Sequence, residues 1–116
     1  MPEFIYDLSS INNTDNPNLK LNCKQWIKNN KTYNIIKYDK NVLTYDRVDT
    51  VGIYRSVICH NNQILCFSPP KSLNISIFTT LYKEEECIAE EFVEGTMINL
   101  FYDHDINKWE IASKST

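Results

Sequence analysis

The chain has 116 residues, a formal net charge of −3, 42% hydrophobic residues and 12% aromatics, which suffices for the core of one domain. That charge excludes a globally basic, nucleic-acid-coating surface, so a polyanion would have to be met by a local patch. No apolar run nears the roughly 20 residues that cross a bilayer, and Met1-Pro2-Glu3-Phe4 is not a basic segment leading into an apolar one, so one cytoplasmic domain over 1–116 without a membrane partner is expected.

Phe4-Ile5-Tyr6-Asp7-Leu8 is short and apolar, and the turn formers of Asn12-Asn13-Thr14-Asp15-Asn16-Pro17-Asn18 predict a loop. Leu19, Trp26 and Ile27, with Leu21 or Cys23, fall near helical spacing opposite Lys20, Lys24, Gln25 and Lys28, which predicts a helix over Leu19–Lys28 closed by Asn29-Asn30. From Thr32 onward β-branched and aromatic residues come in short bursts: Tyr33, Ile35, Ile36 and Tyr38, then Val51, Ile53, Tyr54, Val57 and Ile58. Ile53–Cys59 and Ile64–Phe67 read as a hairpin through His60-Asn61-Asn62-Gln63, where the Asn pair tolerates positive φ. Ser68-Pro69-Pro70 stops that second strand, since proline cannot donate to a ladder. Ile75–Tyr82 is compatible with helix or strand, and Lys83-Glu84-Glu85-Glu86 leads into a predicted strand at Cys87–Phe92. A second hairpin joins Thr96–Tyr102 to Lys108–Ala112 through residues 103–107. The sum is an α+β domain with one short helix on an antiparallel β-sheet.

Cys23, Cys59, Cys66 and Cys87 are widely spaced, so reduced thiols are expected. Cys59, His60 and Cys66 could face one another across a hairpin but offer at most three soft ligands, so no metal site is expected. The Glu84–Glu86 run, with Glu90 and Glu91, reads as a solvated acidic face, and neither His60 nor His104 has a nucleophile in a recognisable setting. No catalytic residue is assigned.

The last third carries a motif. Glu90-Glu91-Phe92-Val93-Glu94-Gly95-Thr96-Met97 precedes Phe101-Tyr102, and Trp109-Glu110-Ile111-Ala112-Ser113-Lys114-Ser115-Thr116 follows. This resembles the active-site hairpin of the RNA ligase nucleotidyltransferases, in which Lys-x-Asp/Glu-Gly-Ser/Thr leads through two strands to Ser/Thr-Lys/Arg-Gly-Ser. Phe92 stands at the lysine position. Three blocks extend the resemblance to roughly Thr32–Thr116, within the RNA ligase family related to the phage T4 tRNA-repair ligase. Lys31–Tyr38 looks like the early strand with an adenosine-side tyrosine, Tyr54-Arg55-Ser56-Val57-Ile58 like the family's Arg-Gly block with serine for glycine, and Cys66–Asn74 like the segment ending Lys-Phe-Phe-Asn.

The resemblance implies the N-terminal part of an adenylation domain, with ATP and Mg2+ as cofactors, RNA ends as partners, and a viral or phage RNA-repair setting. It implies a nucleotide pocket in which Arg55, Lys71 and Lys114 meet the phosphates, Tyr38 flanks the base, Glu94 contacts the ribose and Gly95 allows close backbone approach. In the family a lysine amine attacks the α-phosphate of ATP, which requires a neutral amine, and Phe92 supplies none. The family's later Phe-Glu strand, metal-supporting Glu and Lys-x-Lys pair have no counterpart up to Thr116. The resulting expectation is a degenerate or partial ligase-like domain that binds ATP, AMP or RNA ends. The alternatives are a ligase fragment using Lys71 or Lys114 as nucleophile, and a non-enzymatic interaction module that inherited the fold.

Overall fold

The computed structural model describes residues 6–8 and 20–116. The expected loop over Asn12–Asn18, together with Phe4, Ile5 and Leu19, lies outside the described residues. Six strands and one α-helix follow in the order β1 (Leu21–Lys28), β2 (Lys31–Tyr38), β3 (Val57–His60), β4 (Gln63–Phe67), α1 (Ile75–Leu81), β5 (Ile98–Asp103) and β6 (Lys108–Ser113). The first four strands form one antiparallel sheet in chain order, and β5 and β6 form a separate two-stranded ribbon. The fold is α+β and mostly sheet.

The first element departs from the helix expected over Leu19–Lys28. Residues 21–28 are β1, paired along their whole length with β2 from Leu21↔Tyr38 to Lys28↔Lys31. The reason lies in Asn29 and Asn30, whose φ angles of 51° and 60° make a two-residue turn with both central residues left-handed, the turn whose twist matches a hairpin. The Asn pair therefore joins two strands of a ladder and does not end a helix. Asn61 and Asn62, at φ 46° and 64°, repeat the device between β3 and β4, as expected.

Two further expectations are corrected. Val51 and Ile53 lie in turns and Tyr54 directly after them, all three buried and ahead of β3, so their apolar character serves packing outside the strand expected from Ile53. Cys87–Phe92 forms no strand: no described segment pairs with it, and Ile88 and Phe92 are 87% and 84% exposed. A strand without a ladder partner has nothing to satisfy its backbone. The ambiguous Ile75–Tyr82 segment resolves as α1, capped by the Asn74 side chain, which accepts from the Ile77 amide.

β2 alternates its side chains between two cores. On one face Ile36 joins Val57, Cys59, Ile53 and Tyr54, covered by Tyr6 and Leu8. On the other, Tyr33 and Ile35 join Ile58 and Phe101, so the β5–β6 ribbon forms a second coat. The ribbon lies lengthwise along β2. At the β2 start, Lys31 Nζ contacts both Asp103 carboxylate oxygens at 2.7 Å and Asp105 at 2.7 Å, while the Tyr33 hydroxyl donates to Asp103 at 2.6 Å. Lys28 pairs with Glu110 beside them. At the β2 end, Lys37 Nζ donates to Ser115 Oγ at 3.0 Å.

Candidate functional site

The β2 end is also where cations gather. Tyr38, Arg55 and Lys114 line one open cleft of about 510 Å³ together with Lys37, Asp39 and Lys40. Backbone bonds bring these distant positions together. The Tyr38 amide donates to the Tyr54 carbonyl at 2.7 Å, fixing the residue before Arg55 against the end of β2. Ser56 Oγ donates to the Lys114 carbonyl at 3.2 Å, which holds the segment after β6 next to the residue following Arg55.

Lys71 approaches from the far side, its amide donating to the Gly52 carbonyl at 3.1 Å. Gly52 is itself irreplaceable in place, because an added Cβ would lie 2.5 Å from the Val48 carbonyl oxygen. Lys71 lines a neighbouring concavity with Thr44, Tyr45 and Asn74, yet its charge still reaches Lys114.

The electrostatics follow from that crowding. Burial, then the charges of Arg55, Lys40, Lys37 and Lys71, push the Lys114 ammonium below the usual lysine range. The single carboxylate lining the cleft, Asp39, already accepts from the Asn41 amide at 2.9 Å and pairs with Lys20 at 3.3 Å. The Asn41 bond, with lesser help from Lys20, lowers its pKa. Four cations, Lys37, Lys40, Arg55 and Lys114, thus face a concavity whose one acid is engaged elsewhere, with Lys71 adjacent, on a chain whose net charge is −3. Such an arrangement attracts a polyanion, and phosphate oxygens accept well from lysine and arginine.

Of the residues expected at the site, Tyr38, Arg55 and Lys114 are brought together and Lys71 stands adjacent. Glu94 and Gly95 are exposed in the irregular segment before β5 and are not among the residues lining the cleft. Gly95 has φ 155° and nothing within 4 Å of the place a Cβ would occupy. Lys37 and Lys40 are additions; their signal in the sequence was the basic residues flanking Tyr38. Among the described residues no group of three His, Cys, Asp or Glu side chains could hold a metal ion, and all four cysteines are free.

Fold and site together define a small α+β domain with a cation-lined cleft at the end of its central strands. No family model matches the chain, and no curated protein and no solved structure matches it either. No helix among the described residues is long and apolar enough to cross a membrane.

Proposed function

We propose that this chain binds the phosphates of ATP, AMP or an RNA end in the Arg55–Lys114 cleft, as a degenerate ligase-like domain that does not adenylate itself at position 92. The convergence of Tyr38, Arg55 and Lys114, three positions singled out by the resemblance and separated by up to 76 residues, carries this reading. Phe92, 84% exposed and without an amine, offers no nucleophile. A Mg2+ ion would enter with the nucleotide's phosphates, since Asp39 is engaged by Lys20 and Asn41.

One observation favours a second reading, in which Lys114 has become the nucleophile. It sits half-buried among cations that favour its neutral form, the state an attacking amine needs. In that reaction the Lys114 Nζ–Pα bond forms, the bond from Pα to the β-phosphate oxygen breaks, pyrophosphate leaves with the electron pair, and the amine's proton passes to solvent.

Titration with ATP, AMP and a 5′-phosphorylated RNA oligonucleotide tests the first reading. Arg55→Ala and Lys114→Ala should each weaken binding by about tenfold, the size expected for one charge-assisted phosphate contact. Equal binding by wild type and both variants would sink the cleft as the site. No binding at millimolar ligand would favour an interaction module instead. Incubation with Mg2+ and α-phosphate-labelled ATP separates the readings, because a label that survives denaturation and is lost in Lys114→Ala requires the second.

A further inference from the structure

The β5–β6 ribbon buries one face and leaves the other bare. Burial along β5 alternates strictly, with Asn99, Phe101 and Asp103 inward and Ile98, Leu100 and Tyr102 outward. On β6, Glu110 and Ala112 share the inward face, whereas Trp109 and Ile111 point outward. The outward residues sit opposite one another, Leu100 against Ile111 and Tyr102 against Trp109, and the two rings meet edge-on at 5.5 Å. Exposure is 54% for Ile98, 58% for Leu100, 65% for Trp109 and 68% for Ile111.

Solvent-facing strand positions are ordinarily polar in an antiparallel sheet, because only one face needs a core. Here that order is reversed: the inward face carries Asn99, Asp103 and Glu110 beside Phe101 and Ala112, while the outward one has no charged side chain between Ile98 and Tyr102 or between Trp109 and Ile111. The outward face is an apolar surface with nothing among the described residues packed on it. The five side chains expose on the order of 500 Å² together, at the upper end of the largest apolar patch found on soluble monomers.

We infer that this face is a homodimer interface, in which the ribbons of two copies pack face to face about a two-fold axis near the Leu100–Ile111 pair. Three features select a second copy over a different partner. A predominantly apolar patch, edged by Ser113 opposite Ile98 and by the His104 ring against Tyr102, resembles the interior of homodimer interfaces, which are more apolar than those of separable complexes. It presents no charge pattern by which a dissimilar partner would be oriented, whereas a two-fold contact needs only self-complementarity. Its area, doubled by a second copy, reaches about 1,000 Å², the lower bound for a specific interface. The axis stacks Tyr102 and Trp109 of each copy around the central Leu100 and Ile111 at ordinary sheet-to-sheet spacing.

Sedimentation velocity on the full chain, from about 1 to 200 µM, tests this. A dimer that saturates at two copies with a micromolar dissociation constant is expected. Ile111→Lys, placed where the monomer exposes the side chain, should weaken it by at least tenfold with an unchanged far-ultraviolet spectrum. An independent readout uses Trp26→Phe, which leaves Trp109 as the sole tryptophan; its emission should shift to the red on dilution through the dissociation constant. A chain that stays monomeric at 200 µM, an assembly growing past two copies, or a dimer indifferent to Ile111→Lys with Trp109 emission unmoved would each overturn the proposal.

Discussion

Asp103 is fully buried, and its carboxylate is met from three sides by Lys31, Tyr33 and the Asp105 amide. Burial alone would raise its pKa, but those bonds outweigh it and hold the group at about 2. Burial likewise opposes the Lys31 charge, and the two aspartates overcome it and raise the lysine. The signs give a window. Asp103's contribution is present above its unfolded value of 3.8 and fades as pH falls through about 2. Lys31's contribution is present below 10.5 and fades as pH rises through its higher folded value. Thermal melts should therefore show a plateau between, with loss on both sides. Asp103→Asn leaves the Lys31 ammonium buried with Asp105 alone and should cost about 3 kcal/mol, measurable by urea unfolding at neutral pH. A midpoint shift under about 0.5 kcal/mol would mean that the ion pair is not what ties ribbon to sheet. Nothing in the sequence marked this pair, because its partners are 72 residues apart and each sits at a strand end, where charge is unremarked.

The paired asparagines decide the elements. Each Asn-Asn turn holds two residues at positive φ, and the second position of such a turn favours glycine, which adopts it without the cost that asparagine only partly avoids. Asn30→Gly and Asn62→Gly should each stabilise the chain by about 0.5 kcal/mol, raising Tm by a few degrees, while alanine at either position should lower it by a similar amount or more. The same residues show what a sequence can disclose. Asn61-Asn62 was legible as a turn because strand-like bursts flanked it on both sides. Asn29-Asn30 was not, because Leu21, Cys23 and Ile27 alternate as a strand yet also lie near helical spacing with Trp26, and local pattern cannot choose between those periods without the partner strand. Cys87–Phe92 failed for the complementary reason: its propensity was real, but the fold provides it no neighbour. At the site, Tyr38, Arg55, Lys71 and Lys114 were readable through a resemblance. Lys37 and Lys40 became visible only when β2 and the segment after it were placed beside Lys114.

Seen whole, the molecule is arranged around β2, coated on one side by Ile53 and Tyr54 with Tyr6 and Leu8, and on the other by the ribbon. An eight-residue strand spans roughly 25 Å, so the Lys31–Asp103 contact and the cation cleft mark its opposite ends. The ribbon touches both: Asp103 closes its tip, and Lys114 and Ser115 extend from its base. Lys114 is therefore placed by an element whose other end is pinned by a buried ion pair. Asp103→Asn should accordingly weaken the proposed nucleotide or RNA-end binding several-fold although it replaces no cleft residue, a loss that titration of the folded variant would reveal. Unchanged affinity would show that the bonds at the ribbon's base, from Ser56 to the Lys114 carbonyl and from Lys37 and Trp26 to Ser115, position the site without the ion pair.

The shared strand has a consequence for how occupancy would be sensed. A phosphate bridging Lys37 or Tyr38 on β2 to Lys114 beyond β6 would add a charged staple to the base of the ribbon, which single hydrogen bonds from Ser56 and Lys37 hold, as Asp103 staples its tip. The four like charges gathered in the cleft would then become the grip, and the ligand would act as a removable part of the protein's own framework. Loading would be felt along the full length of β6, as slowed amide exchange reaching toward Lys108, well outside the cleft itself.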